Sequence, residues 1–356
     1  MPPTDEVRVA DKNDCVPEPF EFPPVDLDAV EYLTPFGLMT GSHVTPVDHQ
    51  YFQNFKEPDR LIEVFAPGDG RVISMQHFGT PVAEDATGLV DDYRLVIEHT
   101  CTVSSIFIHI AELNATLAAQ APDIGQYSSV DIPVTAGETI GWFTANVDYN
   151  LVDLEFVTDG LIDLSSYESE PWKAHVPETF RYFVPAIGKQ MEALSLRTIE
   201  PRGGVFTHDI DGLLVGNWFE EGTNGYQGAG ERRYWAGHLS FAYNHIDPSM
   251  VWISIGTFVD QSQQFAVVGN SPDPASVSVE TGPVVYELVG WDYWVGANRW
   301  DRVSLAQGIN ALPSTDRAGS VLVQLLDDRT LMMETFPGIS RSEVDGFTSE
   351  ARTFTR

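Results

Sequence analysis

From about residue 33 to residue 156 the chain is a succession of short runs in which apolar and polar residues alternate. Residues 61–66, 70–75 and 93–98 are clear cases. Alternation with period two places one face of each run inside and the other in water, so these runs predict half-buried β-strands. Pro67-Gly-Asp-Gly70 lies between two of them and predicts a tight turn. The rhythm breaks over 157–200, where the stretch 187–196, preceded by Pro185, carries the one helical pattern. From about Gly203 it resumes in runs such as 250–255, 264–268, 284–289, 320–326 and 330–336, separated by Gly, Asn, Asp and Pro clusters. That spacing predicts a meander closing into a barrel or stacking as a sandwich. Residues 1–28, rich in Pro and acid, predict an extended arm.

The expected organisation is therefore mainly β. An arm covers 1–28, a first β domain 29–160, a connector with a helix 161–202, and a second antiparallel β domain 203–356. The length of 356 residues suits two domains.

Charge narrows the partners. The chain carries 52 acidic against 20 basic residues, a net charge of −32. Such a surface repels phosphate backbones and anionic lipid, which argues against nucleic-acid binding. It suits a salt-rich habitat or an acidic secreted protein equally. No apolar run is long enough for a membrane helix, so no membrane insertion is expected. The first residues lack the basic and apolar regions of a signal peptide. The two cysteines, Cys15 and Cys101, are either two buried thiols or one disulfide tying the arm to the first domain.

Three segments carry a resemblance. Pro67-Gly-Asp-Gly-Arg-Val, then Val96-Ile-Glu-His99 through Phe107-Ile-His109-Ile, then Val134-Thr-Ala-Gly-Glu-Thr-Ile-Gly141 stand in this order. Together they resemble the strand-turn segments of the lysostaphin-type zinc endopeptidases, over about a third of the chain. The resemblance implies a duplicated hybrid motif β-sandwich, an open groove and a zinc ion. In that family the metal is held by H-x-x-x-D near the start and by the second His of a terminal H-x-H, while further histidines assist catalysis. An open zinc site lowers the pKa of a bound water and polarises the scissile carbonyl.

The sequence departs from the pattern at both ends. Asp48 matches the family Asp, but Val44 stands four residues before it, and the imidazoles are at His43 and His49. The H-x-H is matched by Asp153-Leu-Glu155. Both acids fall on odd positions of one run and are expected on one face. The implied set is thus His43, Asp48, His49 and Asp153 as zinc ligands, with His109 and Glu155 as catalytic acid and base. The substrate implied is a peptide cross-link or another cell-envelope polymer, and the location extracytoplasmic. The alternative is an envelope or ligand-binding protein that keeps the fold and has lost the zinc centre.

In the second domain, Gly216-Asn-Trp218 resembles the G-x-W opening of lipocalin-like barrels. Trp291, Tyr293, Trp294 and Trp300 form an aromatic group that either fills a core or offers rings for stacking. Thr207-His-Asp-Ile-Asp-Gly212 lacks the calcium-loop spacing and predicts a turn.

Overall fold

The computed structural model describes residues 18–81, 89–229 and 233–356. Most of the arm expected over 1–28, with Cys15, lies outside them. Cys101 is disulfide-bonded.

The chain is mainly β. In its N-terminal part a seven-stranded sheet runs in the order Tyr32–Thr34, Gln50–Gln53, Asn146–Asp153, Val103–Ile110, Tyr93–Glu98, Gly70–His77, Tyr127–Val134. Every neighbouring pair is antiparallel. A smaller sheet joins Ile62–Phe65, Thr139–Phe143 and Glu112–Leu113. Phe52, Phe107, Val147, Tyr149 and Leu151 are fully buried in the core of this part. Burying each large side chain there contributes about 1.5–3 kcal/mol.

The inner strand Asn146–Asp153 is buried on both faces. Val147, Tyr149 and Leu151 point into the apolar core. Asp148 and Asn150, on the opposite face by strand alternation, are buried as well. Buried polar groups of this kind need partners. Asp148 is paired in register with Tyr51 on one side and Ile108 on the other.

The stretch expected as a connector, 161–202, lies between the strands that end at Asp153 and begin at Gly216, and it holds turns and a helix. Its 3₁₀ turns include Pro171–His175 and Thr179–Tyr182, and its α-helix is Pro185–Leu194, opened by the proline at its first turn. Ile187 and Met191 of that helix pack against the N-terminal core.

The C-terminal part is a closed antiparallel barrel of eight strands rather than a sandwich. The order is Gln261–Val267, Val251–Phe258, His238–Tyr243, Gly216–Glu220, Arg352–Thr355, Thr330–Pro337, Ile309–Asp327, Val284–Val295. Pairing of Ala266 with Val289 closes the ring and removes both edges. Side chains fill the interior, among them Trp218, Phe241, Ile253, Tyr286 and Phe354. Trp218 donates its Nε1–H to the Leu214 carbonyl at 2.8 Å, and the Arg356 guanidinium lies 4.0 Å above its ring. Tyr293 and Trp300 are buried and pack with Trp252 and with Tyr32 of the first sheet, so they belong to the core between the two parts. Asp209 accepts from the backbone N of Asn217, and Asp211 pairs with Arg329, as suits a structural turn. Among the described residues no helix is long and apolar enough to cross a membrane.

Candidate functional site

The site is built where the first sheet meets the connector. Strand Gln50–Gln53 is entered from a bend that carries Asp48 and His49. His49 Nδ1 lies 3.3 Å from Asp48 Oδ1, and its Nε2 lies 2.8 Å from the Tyr51 hydroxyl and 3.3 Å from Asp148 Oδ2. The His43 ring meets the His49 ring edge-on at 5.8 Å.

His109 reaches the same place through a β-bulge. Tyr93 pairs with Ile110 and Leu95 with Phe107, so two residues, Ile108 and His109, oppose Arg94 alone. His109 takes φ of 72°, in the left-handed region. Plain alternation puts His109 on the face away from Ile108 and Asp148. The bulge re-aims it. Its Nε2 then stands 3.7 Å from Asp148 Oδ2, and its Nδ1 3.1 Å from Asp92 Oδ2. The ring is 45% exposed, while the Asp92 side chain is buried.

The turn Pro171–His175 supplies the other wall. Lys173 Nζ sits 3.0 Å from Asp48 Oδ1 and 3.1 Å from Glu170 Oε2. Trp172 Nε1 donates to Asp48 Oδ2 at 3.1 Å. The Lys173 ammonium also faces the Tyr226 ring of the barrel at 4.7 Å, and Arg94 lies 5.7 Å from the Trp172 ring. One short turn thus bridges the first sheet and the barrel.

These contacts set the charges. Burial opposes ionisation of Asp48, but Lys173 and His49 outweigh it and hold the carboxyl below its usual range. Burial likewise opposes the Lys173 charge, and Asp48 keeps it well above the usual range. His43 is pushed down to about 3 by burial, with the His49 and Lys173 charges adding to it. Asp148 is raised by burial, with His49 and His109 acting against the rise. Its Oδ1 is buried without a hydrogen-bond partner. For His109, burial pulls down, but the bond to Asp92 and the Asp148 charge push the imidazole up to about 9. Asp92→Asn is therefore expected to bring His109 back towards the ordinary imidazole value near 6.5. A histidine NMR titration reads this directly, and a value that stays near 9 would contradict the role given to Asp92.

The structure gathers His43, Asp48, His49 and His109 and sets Asp153 and Glu155 apart from them. Strand Asn146–Asp153 ends at Asp153, so Glu155 lies in the turn beyond and does not share a strand face with it. Asp153 accepts from the Tyr182 hydroxyl at 2.5 Å and from Glu155 N at 3.0 Å. It stands five residues beyond Asp148, about 16 Å along an extended strand and on the opposite face. Asp148 occupies the position beside the histidines that the motif match gives to Asp153. Asp92, Lys173 and Trp172 were also missed. Asp92 had a local signal, the acidic pair just before a strand. Lys173 and Trp172 had none, since they come from the connector.

The residues do not fit a zinc ion. A zinc ligand set needs free lone pairs aimed at one point, with an open position for water. Both oxygens of Asp48 are committed, one to an ammonium whose charge would repel the cation. His49 Nε2 is engaged by Tyr51, and His109 Nδ1 by Asp92. Among the described residues no three His, Cys, Asp or Glu side chains form a group able to hold a metal ion.

No family model matches the chain. No curated protein matches it either. Among solved structures it is similar to a zinc containing peptidase from Vibrio cholerae, at 20% identity and a TM-score of 0.24 over 38% of this chain. The match spans only 37% of that peptidase chain. It is also similar to lysostaphin in solution, at 12% identity and a TM-score of 0.21, covering 62% of this chain and 81% of that one.

Proposed function

We propose that this chain is a metal-free, non-catalytic binding protein on a peptidase-like fold. The observation that carries this reading is the Lys173 ammonium on Asp48 Oδ1 at 3.0 Å. The carboxylate that matches the family's zinc ligand is neutralised by the protein's own cation, and the Trp172 indole satisfies its other oxygen. Among the described residues that meet in this cluster, His43, Asp48, His49, Tyr51, Asp92, His109, Asp148, Trp172 and Lys173, none is a serine, cysteine or threonine. What the site offers is a preformed pair, the His109 imidazolium backed by Asp92, half exposed near the end of the inner strand Val103–Ile110. A fixed cation of this kind suits a carboxylate or carbonyl of an extended peptide or cell-envelope polymer. A place outside the cytoplasm accords with the disulfide at Cys101.

The test is metal analysis of the purified chain before and after dialysis against zinc, paired with incubation on cross-linked envelope polymer. The expected result is far less than one zinc per chain, no release of fragments, unchanged stability with chelator, and co-sedimentation with the polymer that His109→Ala weakens. Stoichiometric zinc, lost on chelation together with polymer cleavage, would overturn the proposal in favour of a hydrolase.

A further inference from the structure

A pocket of about 540 Å³ opens where strand Gly216–Glu220 ends beside Thr355, roofed by the connector turn Leu164–Tyr167 and the loop 223–228. We propose that it binds a neutral carbohydrate, one or two sugar rings in size. The volume lies within the range of about 300–1,000 Å³ usual for small-molecule sites.

The lining decides the chemistry. Ser166, Ser169, Thr223, Asn224, Gln227 and Glu220 present hydroxyls, amides and a carboxylate, and only Phe219 adds an aromatic surface. The Ser165 and Ser166 hydroxyls donate to Asp163 at 2.6 and 2.9 Å, so they face the pocket as acceptors. The Asn224 and Gln227 amides provide both donors and acceptors. Ser169 Oγ is buried without a protein partner. A ligand dense in hydroxyl groups, each able to donate and accept, matches this mixture. An anionic ligand does not, because among the described residues no Lys or Arg lines the pocket while Glu168 and Glu220 do. Nor do the two glutamates make a cation site, since Glu220 is already paired with Arg352 at 3.4 Å.

The walls are set before any ligand arrives. Gly225 has φ of 57°, and a Cβ there would run into the backbone of Ser166, so the loop rests directly on the connector. The Asp163 side chain caps the turn Leu164–Tyr167 through Ser165 N at 3.0 Å. Pre-ordered walls lessen the entropy lost on binding. This proposal does not depend on the state of the Asp48 cluster.

The test titrates the full chain with glucose, N-acetylglucosamine, glucuronate and calcium chloride, followed by calorimetry and by amide chemical shifts. Saturable binding of a neutral sugar is expected, with shifts at 165–169 and 223–227 and little response to glucuronate. Asn224→Ala should weaken binding about tenfold, the loss of one well-made hydrogen bond. Gln227→Leu, which keeps the side-chain bulk, separates lost hydrogen bonding from lost shape and should weaken binding likewise. Both variants are compared with the parent by circular dichroism. The proposal fails if no neutral sugar saturates, if calcium alone binds, or if both folded variants bind as the parent does.

Discussion

Lys173→Met is expected to destabilise the fold by about 3–5 kcal/mol, the usual cost of removing one partner from a buried ion pair. The pair qualifies, because the Lys173 and Asp48 side chains are only 5% and 7% exposed. Without the ammonium, Asp48 keeps only the Trp172 N–H and the His49 imidazole, and its charge stays out of water. Asp48→Asn with Lys173→Met should recover most of the loss, because replacing both partners removes the unpaired charge. Denaturant unfolding of the parent, the single variant and the double variant measures this. The result also bears on function. If Asp48 held a cation in the native protein, it would keep a partner without Lys173 and the loss would be small. A loss under about 1 kcal/mol, the value for a solvated pair, would therefore count against both the energetic argument and the metal-free reading.

The backbone was far more legible in the sequence than the site. Period-two alternation marks strands because one face of each sheet is buried, and runs such as 70–75 and 93–98 fall within strands Gly70–His77 and Tyr93–Glu98. Trp218 and Pro185 announced a barrel strand and a helix start for equally local reasons. The choice between barrel and sandwich was not legible, because it turns on one pairing, Ala266 with Val289. The site failed for two physical reasons. A bulge shifts the face of every residue beyond it, so alternation could not tell that His109 joins Asp148. Motif matching chose Asp153, whereas strand register selects Asp148, opposite Tyr51. The decisive cation lay further out of reach still. Trp172 is 124 residues from the Asp48 it contacts, and nothing in local pattern links them.

Stability is expected to be greatest near neutral pH and to fall steeply between pH 6.5 and 5. Burial pushes His238 down to about 4. It pushes His245 down to about 3, with the Arg197 charge adding to it. Both side chains are buried, one held by the Tyr226 carbonyl at 3.0 Å and the other stacked on Trp252. Each folded value lies below the ordinary imidazole pKa near 6.5, so the unfolded chain takes up protons that the folded chain refuses. Their stabilisation is complete above pH 6.5 and is lost as pH falls towards the folded values. Two such groups give a slope that rises from about 1.4 kcal/mol per pH unit at pH 6.5 towards about 2.7 below it. His43, His99 and His208 are lowered as well and act in the same direction. His109 acts on the other side. Raised to about 9, its contribution is complete below pH 6.5 and fades as pH climbs through 9. Protonation of the acidic surface, with a net charge of −32, relieves repulsion only at lower pH. Burial raises the Asp148, Asp209 and Glu178 carboxyls, which act in the opposite direction as pH falls, so the share of one histidine is read from its variant against the parent. Denaturant unfolding at steps from pH 6.5 to 5 should show the decline, and His238→Gln should remove its own share, up to about 1.4 kcal/mol per pH unit. A variant whose stability falls as steeply as the parent's over that interval would mean that this ring accepts its proton in the folded chain.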